Sequence, residues 1–204
     1  GMGTYSPSLV FDKELEERIR REILDPTLKG FQEDGLDFKG VLFIGLMISK
    51  DGPKVIEFNN RFGDPEAQSV LMRLDSDLAD IFTAVTENRL SETEMKWSDK
   101  KAVCVVLASG GYPGSYEKGK EITGLDKVDE DVVVFHAGTA SDHICDASSC
   151  RSAIVTSGGR VLGVTAVGAT HEEARQKAFD NVKRISFEGM QYRNDIGLIR
   201  SDLL

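Results

Sequence analysis

The chain has 204 residues, a formal net charge of −9 and 40% hydrophobic side chains. At roughly 150 residues per domain this allows one large domain or two small ones, with enough apolar content for a packed core and too much for a disordered or fibrous chain. The acidic balance lacks the basic stripe of a nucleic-acid binder, no run of about 18 apolar residues offers a membrane span, and the N-terminus shows no basic region followed by an apolar one. Three cysteines, Cys104, Cys145 and Cys150, are too few and odd in number for a disulfide framework, so a reducing cytoplasm is the expected setting.

In chain order, Gly1-Met2-Gly3 reads either as a tag remnant or as a glycine-rich loop. From Asp12 the pattern is helical, with Leu15, Ile19 and Ile23 recurring every four residues. Pro26 is expected to end or kink this helix, and Gly35 to close the segment. Residues 40–49 form a nearly continuous apolar run, read as a strand buried on both faces, with Gly45 marking a bulge or a close backbone approach. Lys50-Asp51-Gly52-Pro53 is a turn, so the next strand makes an antiparallel hairpin with this one.

That next stretch, Lys54-Val-Ile-Glu-Phe-Asn-Asn-Arg-Phe-Gly-Asp-Pro-Glu66, bears the chemistry. Alternation sends Val55, Glu57 and Asn59 to one face and Ile56 and Phe58, expected to bury, to the other. A carboxylate and an amide carbonyl two residues apart are hard oxygen ligands that suit Mg²⁺, which takes one or two protein oxygens and completes its shell with phosphate and water. Arg61 just beyond suits a phosphate losing its terminal group. Glu57 alone reads as a solvated carboxylate; its combination with Asn59, Arg61 and a Gly-Asp-Pro turn points to a site. Asp64 is expected as the N-cap of a following helix and Pro65 as its first residue; Asp64 and Glu66 are also candidates to place a ligand or metal, though capping and first-turn dipole compensation account for both without function.

Ala67, Val70, Leu71 and Leu74 then mark one helical face, and Leu78, Ile81, Phe82 and Val85 a second. Residues 88–101 are polar and irregular and are read as a subdomain boundary, with Trp97 packed against it. This divides the chain into 1–95 and 96–204. In the second part Val103, Val105 and Leu107 alternate in a strand, residues 110–114 form a glycine-rich loop, and residues 132–137 form another strand. Residues 154–156 and 160–167 flank Ser157-Gly158-Gly159 as a hairpin. Thr170 and Glu173 form a capping box ahead of a helix that turns Ala174, Ala178, Val182 and Ile185 inward. His171, in its first turn, is expected to be solvated, and His136 to make a structural hydrogen bond or lie near a cleft. The second part thus reads as a small α+β unit with a mostly antiparallel sheet.

Five stretches in this order resemble one family: residues 1–7, the Glu57-Phe-Asn59 motif within 52–66, Ala108-Ser-Gly-Gly-Tyr-Pro-Gly114, His136-Ala-Gly-Thr139 and Gly158-Gly-Arg-Val-Leu-Gly-Val-Thr165. Together they closely resemble phosphoribosylamine–glycine ligase, an ATP-grasp enzyme of purine synthesis. The resemblance covers almost the whole chain, including residues 187–197. It implies an α+β fold: the C-terminal part of an ATP-grasp large lobe, an antiparallel sheet with helices, plus a small α+β C-terminal subdomain. It also implies that Glu57 and Asn59 hold Mg²⁺ or Mn²⁺ on the phosphates of ATP, and that Arg61 faces those phosphates as the catalytic group. The implied substrates are glycine and 5-phosphoribosylamine, joined through glycyl phosphate.

Departures from the family pattern are Asn60 in place of Cys and Ala67 in place of Thr, neither a metal ligand. Residues 142–153 are longer than the family's usual loop and hold His143, Cys145 and Cys150, read as a surface insertion with free thiols rather than a zinc site. Family members are considerably longer, so the resemblance also implies a missing N-terminal half with the nucleotide clamp, and an isolated chain incomplete for catalysis. Lys118 and Lys120 read as solvated loop residues and no substitute for it. The alternatives are another ATP-grasp carboxylate–amine ligase and a non-catalytic binding module.

Overall fold

The computed structural model describes residues 1–145 and 149–198. In chain order the elements are β1 (Gly3–Ser6), α1 (Lys13–Ile19), a π-helical stretch (Arg20–Leu24), α2 (Asp25–Glu33), β2 (Phe43–Ser49), β3 (Gly52–Asn59), α3 (Glu66–Val70), α4 (Leu78–Thr86), β4 (Lys101–Ala108), β5 (Val133–His136), β6 (Thr139–Cys145), β7 (Cys150–Thr156), β8 (Arg160–Gly168) and α5 (His171–Val182). They fall into two compact units, one of Gly1–Pro7, Asp64–Arg73 and the described residues from Ser98 onward, the other of Ser8–Gly63 and Leu74–Trp97.

The first unit is built on an antiparallel four-stranded sheet in the order β1-β4-β8-β5. Gly3, the last of the three residues that the sequence left between tag and loop, opens its edge strand β1, with Thr4 opposite Cys104. Alternation along β4 sends Val103, Val105 and Leu107 into one core with Val164, Ala174, Ala178 and Val182. The opposite face of β4 is also sealed, since Ala102, Cys104, Val106 and Ala108 are buried too. The helical pattern after Pro65 accounts for this, because α3 packs on β1, β4 and β8. Each buried Val or Leu here contributes about 1.5–3 kcal/mol relative to exposure. The capping box opens α5 as expected: Thr170 Oγ1 accepts from the Glu173 N–H at 3.1 Å, and Glu173 Oε2 accepts from the Thr170 N–H at 3.3 Å.

Three expectations for this unit fail on long-range partners. Residues 154–156 and 160–167 do not form a hairpin: β7 pairs with β6 in a separate two-stranded sheet, whereas β8 pairs with β4 and β5. The glycines between them serve a close backbone approach instead, since a Cβ on Gly138 would lie 2.6 Å from Gly158 Cα. His171 is buried, not solvated, because its Nε2 donates to the Pro7 carbonyl at 2.9 Å and its ring meets Tyr5 edge-on. Cys145 and Cys150 are not free thiols but a disulfide across the β6–β7 hairpin, leaving Cys104 as the buried free cysteine.

In the second unit Asp12 caps α1, accepting from the Leu15 N–H at 2.8 Å. Pro26 does not end the helix, which runs on through the π-helical stretch into α2. The π-helical stretch widens the backbone ahead of the proline, the Asp25 N–H bonding back to Arg20, and Pro26 then sits in the first turn of α2. The hairpin β2–β3 forms as expected, but it is not buried on both faces. Met47, Ile48, Ile56 and Phe58 are all more than 40% exposed, because a two-stranded sheet covers little of its own surface. Asp77 caps α4 through bonds from the Ala79 and Asp80 N–H groups. Ile81 and Ala84 are its buried positions, whereas Phe82, expected in that core stripe, is exposed and tilts against Phe62. Trp97 is also exposed at 45%, bridging to Leu74 at the backbone rather than packing as a core residue.

Candidate functional site

Glu57 and Asn59 lie on the regular end of β3, opposite Gly45 and Phe43 respectively, so they share one face. The register breaks between Gly45 and Leu46, where Ile56 is the extra residue without a partner. That is the bulge expected at Gly45, and bulges of this kind re-aim side chains. Gly45 has a second role. A Cβ there would lie 3.1 Å from Glu57 Cγ, so glycine leaves the space that the Glu57 side chain occupies.

Glu57 is exposed and Asn59 half-buried, and neither side chain makes a hydrogen bond or ion pair among the described residues. Two oxygen donors on one open strand face, free of internal partners, fit a cation that keeps most of its shell for phosphate and water. They do not amount to a closed protein cage: no group of three or more His, Cys, Asp or Glu side chains is gathered for a metal among the described residues. Arg61 lies in the bend beyond β3, exposed, with Nη1 donating to the Phe62 carbonyl at 2.7 Å.

Asp64 does not cap a helix. The N-cap position belongs to Pro65 and α3 starts at Glu66, because the Asp64 carboxylate is held elsewhere. Its Oδ1 accepts from Gln68 Nε2 at 3.1 Å and its Oδ2 lies 3.2 Å from Arg160 Nη2. Sequence reasoning missed Arg160 in this role, and no local signal could have found it, since the two residues are 96 positions apart. Gly1 and Thr4 border the same turn, the Thr4 hydroxyl donating to the Pro65 carbonyl at 3.0 Å.

The other singled-out residues are engaged in structure. His136 is exposed, with Nδ1 3.1 Å from the Thr139 hydroxyl. Lys120 is not simply solvated; it pairs with Glu117 at 2.8 Å and Glu188 at 3.0 Å, and both contacts raise its pKa. Cys104 is pushed up to about 11 by burial, against a smaller opposing effect of the Thr165 hydroxyl, which excludes it as a ready thiolate.

Comparison with known proteins agrees along the chain. Residues 1–67 match the family model described as phosphoribosylglycinamide synthetase, ATP-grasp (A) domain, and residues 102–199 match the C domain of the same synthetase. The chain is 47% identical to a phosphoribosylamine–glycine ligase of Caldanaerobacter subterraneus over 96% of its length, covering 45% of that protein. It is 49% identical to a chloroplastic phosphoribosylamine–glycine ligase of Arabidopsis thaliana over 97% of its length, covering 37% of that protein. The crystal structure of phosphoribosylamine–glycine ligase from Thermotoga maritima aligns with a TM-score of 0.73 at 35% identity, covering 96% of this chain and 46% of that one. The chain therefore spans less than half the length of these relatives. With both domain models of one family matched in order and the same fold in a solved member, the chain belongs to the phosphoribosylamine–glycine ligase family of ATP-grasp proteins.

Proposed function

We propose that this chain contributes the metal- and phosphate-binding strand of an ATP-dependent ligase that joins glycine to 5-phosphoribosylamine. The products are glycinamide ribonucleotide, ADP and phosphate, formed by way of glycyl phosphate, and the setting is purine synthesis in the cytoplasm. The observation that carries the reading is the pairing of Glu57 and Asn59 on one open face of β3, opposite the space left by Gly45, in a member of this family.

The Glu57 carboxylate and the Asn59 amide oxygen are the groups that would hold Mg²⁺ or Mn²⁺. The bound ion would offset charge on the phosphates of ATP as the terminal group leaves. Arg61 exchanges its single backbone contact for the transferring phosphoryl group, where a guanidinium stabilises the charge that builds in the transition state. The domains read from the sequence, 1–95 and 96–204, are the end of the ATP-grasp large lobe and the C-terminal subdomain. The nucleotide clamp and much of the phosphoribosylamine site belong to an N-terminal half that acts with this chain.

The test is ADP formation dependent on both glycine and phosphoribosylamine, with this chain alone and mixed with a separately made N-terminal half of a relative. Activity is expected in the mixture, and Glu57→Ala and Asn59→Ala are each expected to return it to background. Glycine-dependent ADP release that survives both substitutions overturns the site. Another amino acid clearly outrunning glycine overturns the substrate.

A further inference from the structure

The β6–β7 hairpin bears chemistry that the ligase reading does not use. Cys145 and Cys150 stand directly opposite in its register, their Cα atoms 4.1 Å apart, and are joined as a disulfide. Both are exposed, whereas Cys104 is sealed within β4. Thiol–disulfide exchange needs an attacking thiolate to reach a sulfur, so access separates these two cysteines sharply from the third.

The base of the hairpin is held without the disulfide. The Ile122 N–H donates to the Ile154 carbonyl at 2.8 Å, and the Thr156 N–H to the Lys120 carbonyl at 2.9 Å. Arg151 pairs with Glu121 at 2.7 Å, and Val155 is buried. Opening the bond therefore leaves these anchors in place. The cross-strand register keeps the second sulfur beside the first when one of them is engaged.

We propose that Cys145 and Cys150 form a reversible redox-modification site that exchanges with low-molecular-weight thiols and disulfides while the core stays folded. In the oxidising direction one cysteine thiolate attacks a small disulfide such as oxidised glutathione. The S–S bond of the small molecule breaks, a mixed disulfide forms on the protein, and one small thiol leaves. The other cysteine thiolate then attacks the protein sulfur of the mixed disulfide, closing Cys145–Cys150 and releasing the second small thiol. Two electrons pass from the dithiol to the small disulfide, and the two protein protons end on the released thiols. Reduction by the small thiol is the reverse sequence.

The test uses the native chain incubated first with millimolar reduced glutathione and then with oxidised glutathione, each followed by alkylation without denaturant and peptide mass spectrometry. After reduction, Cys145 and Cys150 are expected to be alkylated and Cys104 to be untouched until the chain is unfolded. After oxidation, the linked peptides are expected to lose two hydrogens and to resist alkylation. Cys145→Ser is expected to leave a stable glutathione adduct on Cys150, because no resolving thiol remains. Far-UV circular dichroism is expected to match in the two states. A bond that opens only when the core is unfolded overturns the proposal, as does a reduced pair that oxidised glutathione fails to close. Labelling of Cys104 in the native reduced chain also overturns it, since the change would then reach the core.

Discussion

Arg160 grips Asp64 by both its backbone and its side chain. One guanidinium nitrogen, Nη1, donates to the Asp64 carbonyl at 2.8 Å, and Nη2 lies 3.2 Å from the carboxylate Oδ2. The turn that follows the Glu57–Arg61 motif is thereby fastened to the start of β8. Arg160→Ala is expected to destabilise the fold by about 1–2 kcal/mol, less than a fully buried charged bond because Asp64 is half-exposed. Arg160→Lys keeps the charge but not the fork and should recover only part of that loss. Urea unfolding midpoints of the three proteins check it; an unchanged midpoint in Arg160→Ala would show the grip to be energetically idle.

Gly45 is expected to matter for the metal strand rather than for folding. In Gly45→Ala the new methyl would meet Glu57 Cγ at 3.1 Å, and the flexible carboxylate side chain would give way before the backbone did. Mn²⁺ affinity in the presence of nucleotide, measured on the assembled enzyme, should fall about tenfold, the size typical of disturbing a ligand's support. The thermal midpoint should hold. Equal metal affinity would mean that Glu57 does not use this space.

Cys104 makes stability fall at alkaline pH. Its thiol is raised to about 11 in the folded chain by burial, so the unfolded chain ionises first, near 9. Between those values the folded state binds the extra proton, so its contribution is intact below pH 9 and lost as pH rises towards 11. The total is on the order of 2–3 kcal/mol. Cys104→Ala lacks the group, so the stability difference between wild type and variant should shrink across that interval. A difference independent of pH from 8 to about 11 would contradict the assignment.

The capping box of α5 offers a local control. Thr170→Ala removes the acceptor of the Glu173 N–H and should cost about 1 kcal/mol in urea unfolding. The same change should leave the alkylation pattern of Cys145 and Cys150 untouched, since the cap bonds join only Ala169, Thr170 and Glu173 among the described residues.

Local order was legible in the residues themselves. The capping box at Thr170, the hairpin of β2 and β3 and the bulge at Gly45 each depend on groups a few positions apart. So does the placing of Glu57 and Asn59 on one face, because strand alternation is a property of the backbone alone. The motif set also sufficed to name the family, which the domain models and a solved relative bear out.

What only the tertiary structure decided was which distant group stands across from each residue. Nothing near Asp64 announces Arg160, and nothing near His171 announces the Pro7 carbonyl that draws its ring inside. The strand from Cys150 to Thr156 turned from β8 to β6, which carried Cys145 and Cys150 into register and converted two apparent free thiols into a disulfide. Conversely, Ile56 and Phe58 have the alternation of buried residues and remain exposed. The physical reason is the same in each case. Periodicity and capping are set by bonds within a turn or a strand, whereas burial, register and charge pairing are set by partners that the chain brings together only on folding.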